Sequence, residues 1–172
     1  MKIPTCIITG DWHIRETQPL CRLDNFWEVQ TKKLKWLSKL QQKHNCPILH
    51  AGDILDAWKP SPYLLSYCLQ NFPEYMITIP GNHDLPSHSI ELYEKSGLAV
   101  LQAAGKVGVL FEKSYKMEEI SICPFPWGYS PSSLSPLVRG HNIALCHVMT
   151  YQGRKPYPGC KDPGAGALLR NT

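Results

Sequence analysis

The stretch YMITIPGNHD, Tyr75 to Asp84, decides how this chain is read. Its first half is apolar and β-branched, the signature of a buried strand, and it breaks at Pro80-Gly81 into three polar residues, Asn82, His83 and Asp84. Burying an amide, an imidazole and a carboxylate side by side at a strand end is costly unless they bind something or each other. The same pattern recurs on both sides. Ile3–Thr9 runs into Gly10-Asp11-Trp12-His13, Pro47–Ala51 runs into Gly52-Asp53, and Asn142–Cys146 runs into His147. In α/β proteins, ligands bind beyond the carboxyl ends of the strands, where side chains from several loops reach one spot.

The segments between these runs have helical spacing. Asp24–His44 carries an apolar stripe at Phe26, Val29, Trp36, Leu37 and Leu40, with Lys32, Lys33, Lys35, Lys39 and Lys43 as a solvated face. Ser61 can cap a helix over Ser61–Phe72, with Pro62 at its first position. A third helix is expected over Ser87–Ser96, stopped by Gly97. From Leu98 the texture changes to short runs, Leu98–Gln102, Val107–Phe111 and Glu119–Cys123, which read as strands of a second sheet. The expected architecture is layered α/β: β-α-β-α-β with a central mixed sheet flanked by helices, followed by further strands. Tyr129–Pro136 and the Gly/Pro-rich Gly153–Gly166 read as loops.

The ordered set D-x-H, G-D, G-N-H-D and a strand ending in His resembles the calcineurin-like metallophosphoesterase superfamily, over about residues 5–150. That resemblance implies a centre of two divalent metal ions. Asp11 and His13 would hold one, Asn82 and His147 the other, and Asp53 would bridge both with its two oxygens. Imidazole, carboxylate and amide ligands suit Mn foremost, with Fe or Zn also compatible. His83 would face the substrate phosphate and protonate the leaving oxygen or stabilise the developing charge. Asp84 would orient it and keep it charged. His88, just past this turn, is a candidate substrate contact.

Within the superfamily, GDWHI, AGDILD and ICPFPW are most similar to the DNA-repair branch of SbcD-type nucleases and phage recombination endonuclease subunits. The branch implies DNA as substrate and an SbcC-like ATPase as partner. A nucleotide or phosphoprotein phosphoesterase would share every ligand. The family pattern ends in G-H-x-H, whereas no histidine follows His147 here, and Cys160 and Asp162 are the only substitutes in ligand type. The expectation is therefore the N-terminal part of a larger catalytic domain, spanning 1–172, with an exposed sheet edge or a homodimer formed across it. A truncated, inactive binding module is the competing class.

Composition sets the outer limits. The 172 residues are 43% hydrophobic and 10% aromatic, enough for one buried core and incompatible with disorder. A formal charge of +4 is too mild to point to nucleic acid by itself. No apolar run is long enough to span a membrane, and the N-terminus does not read as a signal peptide, so a cytoplasmic protein is expected. The 7 cysteines are odd in number and never spaced C-x-x-C, which reads as reduced thiols among core residues.

Overall fold

A computed structural model describes residues 6–117, 120–129 and 141–159. Cys160, Asp162 and most of the two expected loops lie outside the described residues. The chain runs through β1 (Ile7–Thr9), α1 (Phe26–His44), β2 (Ile48–His50), α2 (Pro62–Asn71), β3 (Met76–Thr78), two 3-10 turns (Pro86–His88 and Ile90–Lys95), α3 (Gly97–Ala103), β4 (Gly108–Val109), β5 (Tyr115–Met117), β6 (Ile120–Phe125) and β7 (His141–Cys146).

The first sheet has the order β1-β2-β3-β4 and is parallel throughout. Mixing is confined to the second sheet, where β6 pairs antiparallel with β5 and parallel with β7. Alternate residues of β2 and β3 face opposite sides, as the pleat requires. Ile48 and Met76 join Leu34, Leu64, Cys68 and Leu98 in the core beneath the helices. Leu49, Ile77 and Ile79 join Ile120, Ile122 and Leu145 in a second core between the sheets. On β1, Ile7 packs on the helical core, while Ile8 on the other face is 62% exposed.

Local chemistry explains the long helices. Asn25 caps α1 by accepting from Glu28 N, and Asn45 ends it in a left-handed conformation. Ser61 Oγ accepts from Leu64 N at 3.0 Å, with Pro62 opening α2 as expected. The buried face of α1 differs from the expected stripe: it is built on Gln30, Leu34 and Gln41, and Trp36 is 60% exposed. Two buried glutamines are tolerated because each amide is hydrogen-bonded to backbone. Gln41 Nε2 donates to Tyr75 O, and Gln30 holds both the N–H and the C=O of Arg15.

The third expected helix is a pair of 3-10 turns, interrupted where Ser87 and His88 adopt positive φ. Gly97 starts a helix rather than ending one, and the expected strand Leu98–Gln102 lies inside α3. A Cβ at Gly97 would lie 2.4 Å from the Pro60 ring, so the glycine serves close packing. Ser96 caps α3 by accepting from Ala99 N. Val107–Phe111 supplies β4, which extends the first sheet and not the second.

Candidate metal centre

Asp11, Asp53, Asn82 and His147 each follow the carboxyl end of a strand, β1, β2, β3 and β7. The loops carrying them are tied by backbone hydrogen bonds: Asp11 N to Gly52 O, His13 N to Asp53 O, Ile14 N to Ile54 O, and His147 N to Phe125 O. Three site residues, Asp11 (φ 52°), His13 (φ 45°) and Asp53 (φ 57°), adopt left-handed backbone. For non-glycine residues that conformation costs on the order of 1–2 kcal/mol each, and it persists only where the surroundings over-determine it.

Two glycines make the convergence possible. A Cβ at Gly52 would lie 2.6 Å from His147 Nδ1, and one at Gly81 would lie 2.1 Å from Asp53 Oδ1. Asp84, fully buried, closes the arrangement from beneath. Its Oδ2 accepts from the backbone N–H of Asp53, Ile54 and Gly81, and its Oδ1 from that of Leu55. Burial pushes its carboxyl up to about 6, against those N–H bonds, so it is charged at neutral pH. The expected role for Asp84 is corrected here: with both oxygens taken by backbone, it positions the loop of Asp53. The His83 ring is instead fixed by its Nδ1, which donates to Asp56 O at 2.8 Å.

Asp53 is 3% exposed and central. Its Oδ1 accepts from His83 N at 2.8 Å, and its Oδ2 stands 3.4 Å from His147 Nε2 and 3.7 Å from His13 Nε2. Burial alone would raise the Asp53 carboxyl, but the His147 bond and charge, with the His83 N–H, hold it below its ordinary range. Two groups of potential metal-binding atoms result, each lying within 4.8 Å of one another: Asp11, Asp53 and His147, and His13, Asp53 and His83. Asn82 Oδ1 adds to the first at 3.0 Å from His147 Nε2. Asp53 is common to both groups. The grouping differs from the expected ligand sets: His83, expected outside them, falls among the atoms near His13, and Asp11 falls with His147.

The protonation pattern tests whether these residues suit a cation. His147 Nδ1 donates to Ala51 O at 2.7 Å, which leaves Nε2 pointing at Asn82 Oδ1 and Asp53 Oδ2. A lone pair facing two acceptors is unfavourable, so a proton or a metal ion must sit there. Although burial lowers the His147 pKa, the Asp53 bond, Ala51 and the charges of Asp53 and Asp11 outweigh it and raise the pKa. On the other side, His13 Nδ1 is buried with no hydrogen-bond partner among the described residues, and Asp56 Oδ1 lies 3.7 Å away. Metal-ligating histidines commonly turn their second nitrogen to such a carboxylate. The residues fit divalent cations of the Mn, Fe or Zn type.

The remaining residues fall around this centre. His88 is exposed, and its Nδ1 bonds Asn82 O at 2.9 Å, steadying that turn. Trp12 packs edge-to-face on Phe72 and His50, as a core side chain does. Cys6, Cys21, Cys46, Cys68, Cys123 and Cys146 are free thiols, and none belongs to either metal-binding group. Among the described residues no helix is long and apolar enough to cross a membrane.

A sheet end that gathers carboxylates, imidazoles and an amide oxygen around a shared buried aspartate is a candidate centre for divalent metal ions. The sequence profile of the calcineurin-like phosphoesterases (Metallophos) matches residues 4–152, and the chain belongs to that family. A search of curated proteins finds no match.

Proposed function

We propose that this chain hydrolyses phosphodiesters through two adjacent Mn ions, with DNA as the substrate, in the manner of SbcD-type nucleases. Asp11 and His13 would hold one ion, Asn82 and His147 the other, and Asp53 both. The observation that supports the reading is the buried Asp53 carboxylate, common to the group it forms with Asp11 and His147 and to the one it forms with His13 and His83, while Asp11 Oδ1 also stands 3.9 Å from His13 Nε2. Bound cations there would polarise the phosphoryl oxygen and supply an ionised water as nucleophile. The choice of DNA rests on GDWHI, AGDILD and ICPFPW. An SbcC-like ATPase partner and a homodimer belong to the same proposal.

The residues of the chain supply the rest. Because His83 donates its Nδ1 proton to Asp56 O, its Nε2 is the nitrogen left to carry a proton to the leaving oxygen. Its ring stands edge-to-face against that of His13, with centroids 4.7 Å apart. His83→Ala in the Mn-loaded protein is expected to lower kcat on a generic phosphodiester and on double-stranded DNA ends by about 10²–10⁴, with metal content retained. Loss of metal together with activity would make His83 a ligand. Loss of neither would end its assignment as the acid.

A further inference from the structure

Arg15 is held more firmly than a surface arginine needs to be. Its backbone N–H and C=O are both clamped by the buried Gln30 side chain. Its Nε and Nη2 donate to Thr17 Oγ1 at 3.2 and 3.0 Å, and its Nη1 donates to Asp56 Oδ1 at 3.2 Å. The neighbouring Glu16 is engaged by Ser61 Oγ and does not compete for the guanidinium. An ion pair whose partners are 33% and 29% exposed adds little stability, so stability does not account for the restraint.

The restraint fixes an orientation. Of the five guanidinium N–H groups, those on Nε, Nη1 and Nη2 just named are bound, and the second N–H of each Nη keeps no partner among the described residues. N–H groups left over in this way can donate to the oxygens of a phosphate. Contacts run from Arg15 to Asp56, from Asp56 to His13 at 3.7 Å, and from His13 to Asp53 at 3.7 Å. Two side chains thus separate the guanidinium from the carboxylate at the heart of the centre.

We propose that Arg15 forms a subsite for a second phosphate, next to the one undergoing hydrolysis, so that the site favours a phosphodiester chain over a substrate with one phosphate. The inference rests on the phosphodiesterase reading above. The Asp56 carboxylate and the Thr17 hydroxyl keep the guanidinium aimed while leaving its other N–H groups to the ligand, and these side-chain bonds reduce the rotamer freedom lost on binding.

The test uses the Mn-loaded protein with the trinucleotide dTpTpT, which has two phosphates, and the dinucleotide dTpT, which has one. Calorimetry gives affinity, and chromatography of products gives KM and kcat. For the parent, the trinucleotide should bind more tightly than the dinucleotide. Arg15→Ala should reduce that preference about tenfold or more, in Kd and in KM rather than in kcat, and Arg15→Lys should restore part of it. Equal losses on both oligonucleotides, or a weakened affinity for Mn alone, would overturn the proposal, because Arg15 would then act through Asp56 and His13. Hydrolysis of both without an Arg15-dependent preference would end this inference alone. An Arg15-dependent preference in binding without any hydrolysis would sustain it and end the catalytic reading.

Discussion

Lowering the pH should expose one buried imidazole as an acid-sensitive point of the fold. His50 lies on β2 with no exposed surface, its Nδ1 accepting from Gly52 N, and its Nε2 without a partner among the described residues. Burial lowers its pKa from 6.5 to about 3, assisted by the neighbouring His147. The folded chain therefore refuses a proton that the unfolded chain accepts throughout that interval. Stability is unaffected by this group above pH 6.5 and falls as pH drops, by about 1.4 kcal/mol per unit. At pH 4 the loss from His50 alone is about 3 kcal/mol, a large part of the roughly 5–15 kcal/mol that holds a domain together. Other groups titrate in the same range with different signs. The raised Asp84 favours the fold in acid and loses that advantage as pH rises toward about 6, while the lowered Asp53 does the reverse. These contributions are shared by the parent and a His50→Asn variant, whose amide oxygen can still accept from Gly52 N. Urea unfolding of both, in chelator and followed by circular dichroism from pH 7 to 4, should give stability curves that converge by about 1.4 kcal/mol per unit below pH 6.5. Parallel curves would refute the reasoning, because His50 would then be taking its proton in the folded state.

Gly81→Ala should cost roughly 2 kcal/mol or more in stability and weaken Mn binding, since its Cβ would meet Asp53 Oδ1 at 2.1 Å, whereas Gly105→Ala, with nothing within 4 Å, should lose only the roughly 1 kcal/mol of a left-handed alanine. Asp11→Asn should weaken Mn binding, because it removes one of the two carboxylates grouped with His147, and should shrink the rise in melting temperature that saturating Mn gives the parent; thermal melts with and without metal read the difference.

The alternation of strands and long helices was legible because α1 announces itself through its helical apolar spacing and α2 through Ser61 and Pro62, signals that act within a few residues of where they stand. The segment Pro86–Ala103 was not. Gly97 looks like a helix stop in sequence, but its N–H bonds Trp58 O and its missing side chain admits Pro60, a contact between residues 37 positions apart. LAVLQA is apolar enough for a strand, and it is helical with Ser96 as its cap and with Leu98, Ala99 and Leu101 buried. The site shows the same division. Asp11, His13, Asp53, Asn82, His83 and His147 were visible as polar residues at strand ends. The grip of Asp84 on three successive N–H groups was not, nor was the Gln30 clamp on Arg15. Both depend on long-range bonds that no local pattern encodes.

The grip of Asp84 also bears on how the protein folds. Asp84 follows β3, and three of its four donors follow β2, so this one carboxylate measures the alignment of two parallel strands. Sliding β2 past β3 by a single residue would carry the row of donors off the acceptor and strand a charge in the interior. Misaligned pairings are thereby penalised at the step when these strands dock, and the ligand-bearing loops take shape in the same event that sets the sheet.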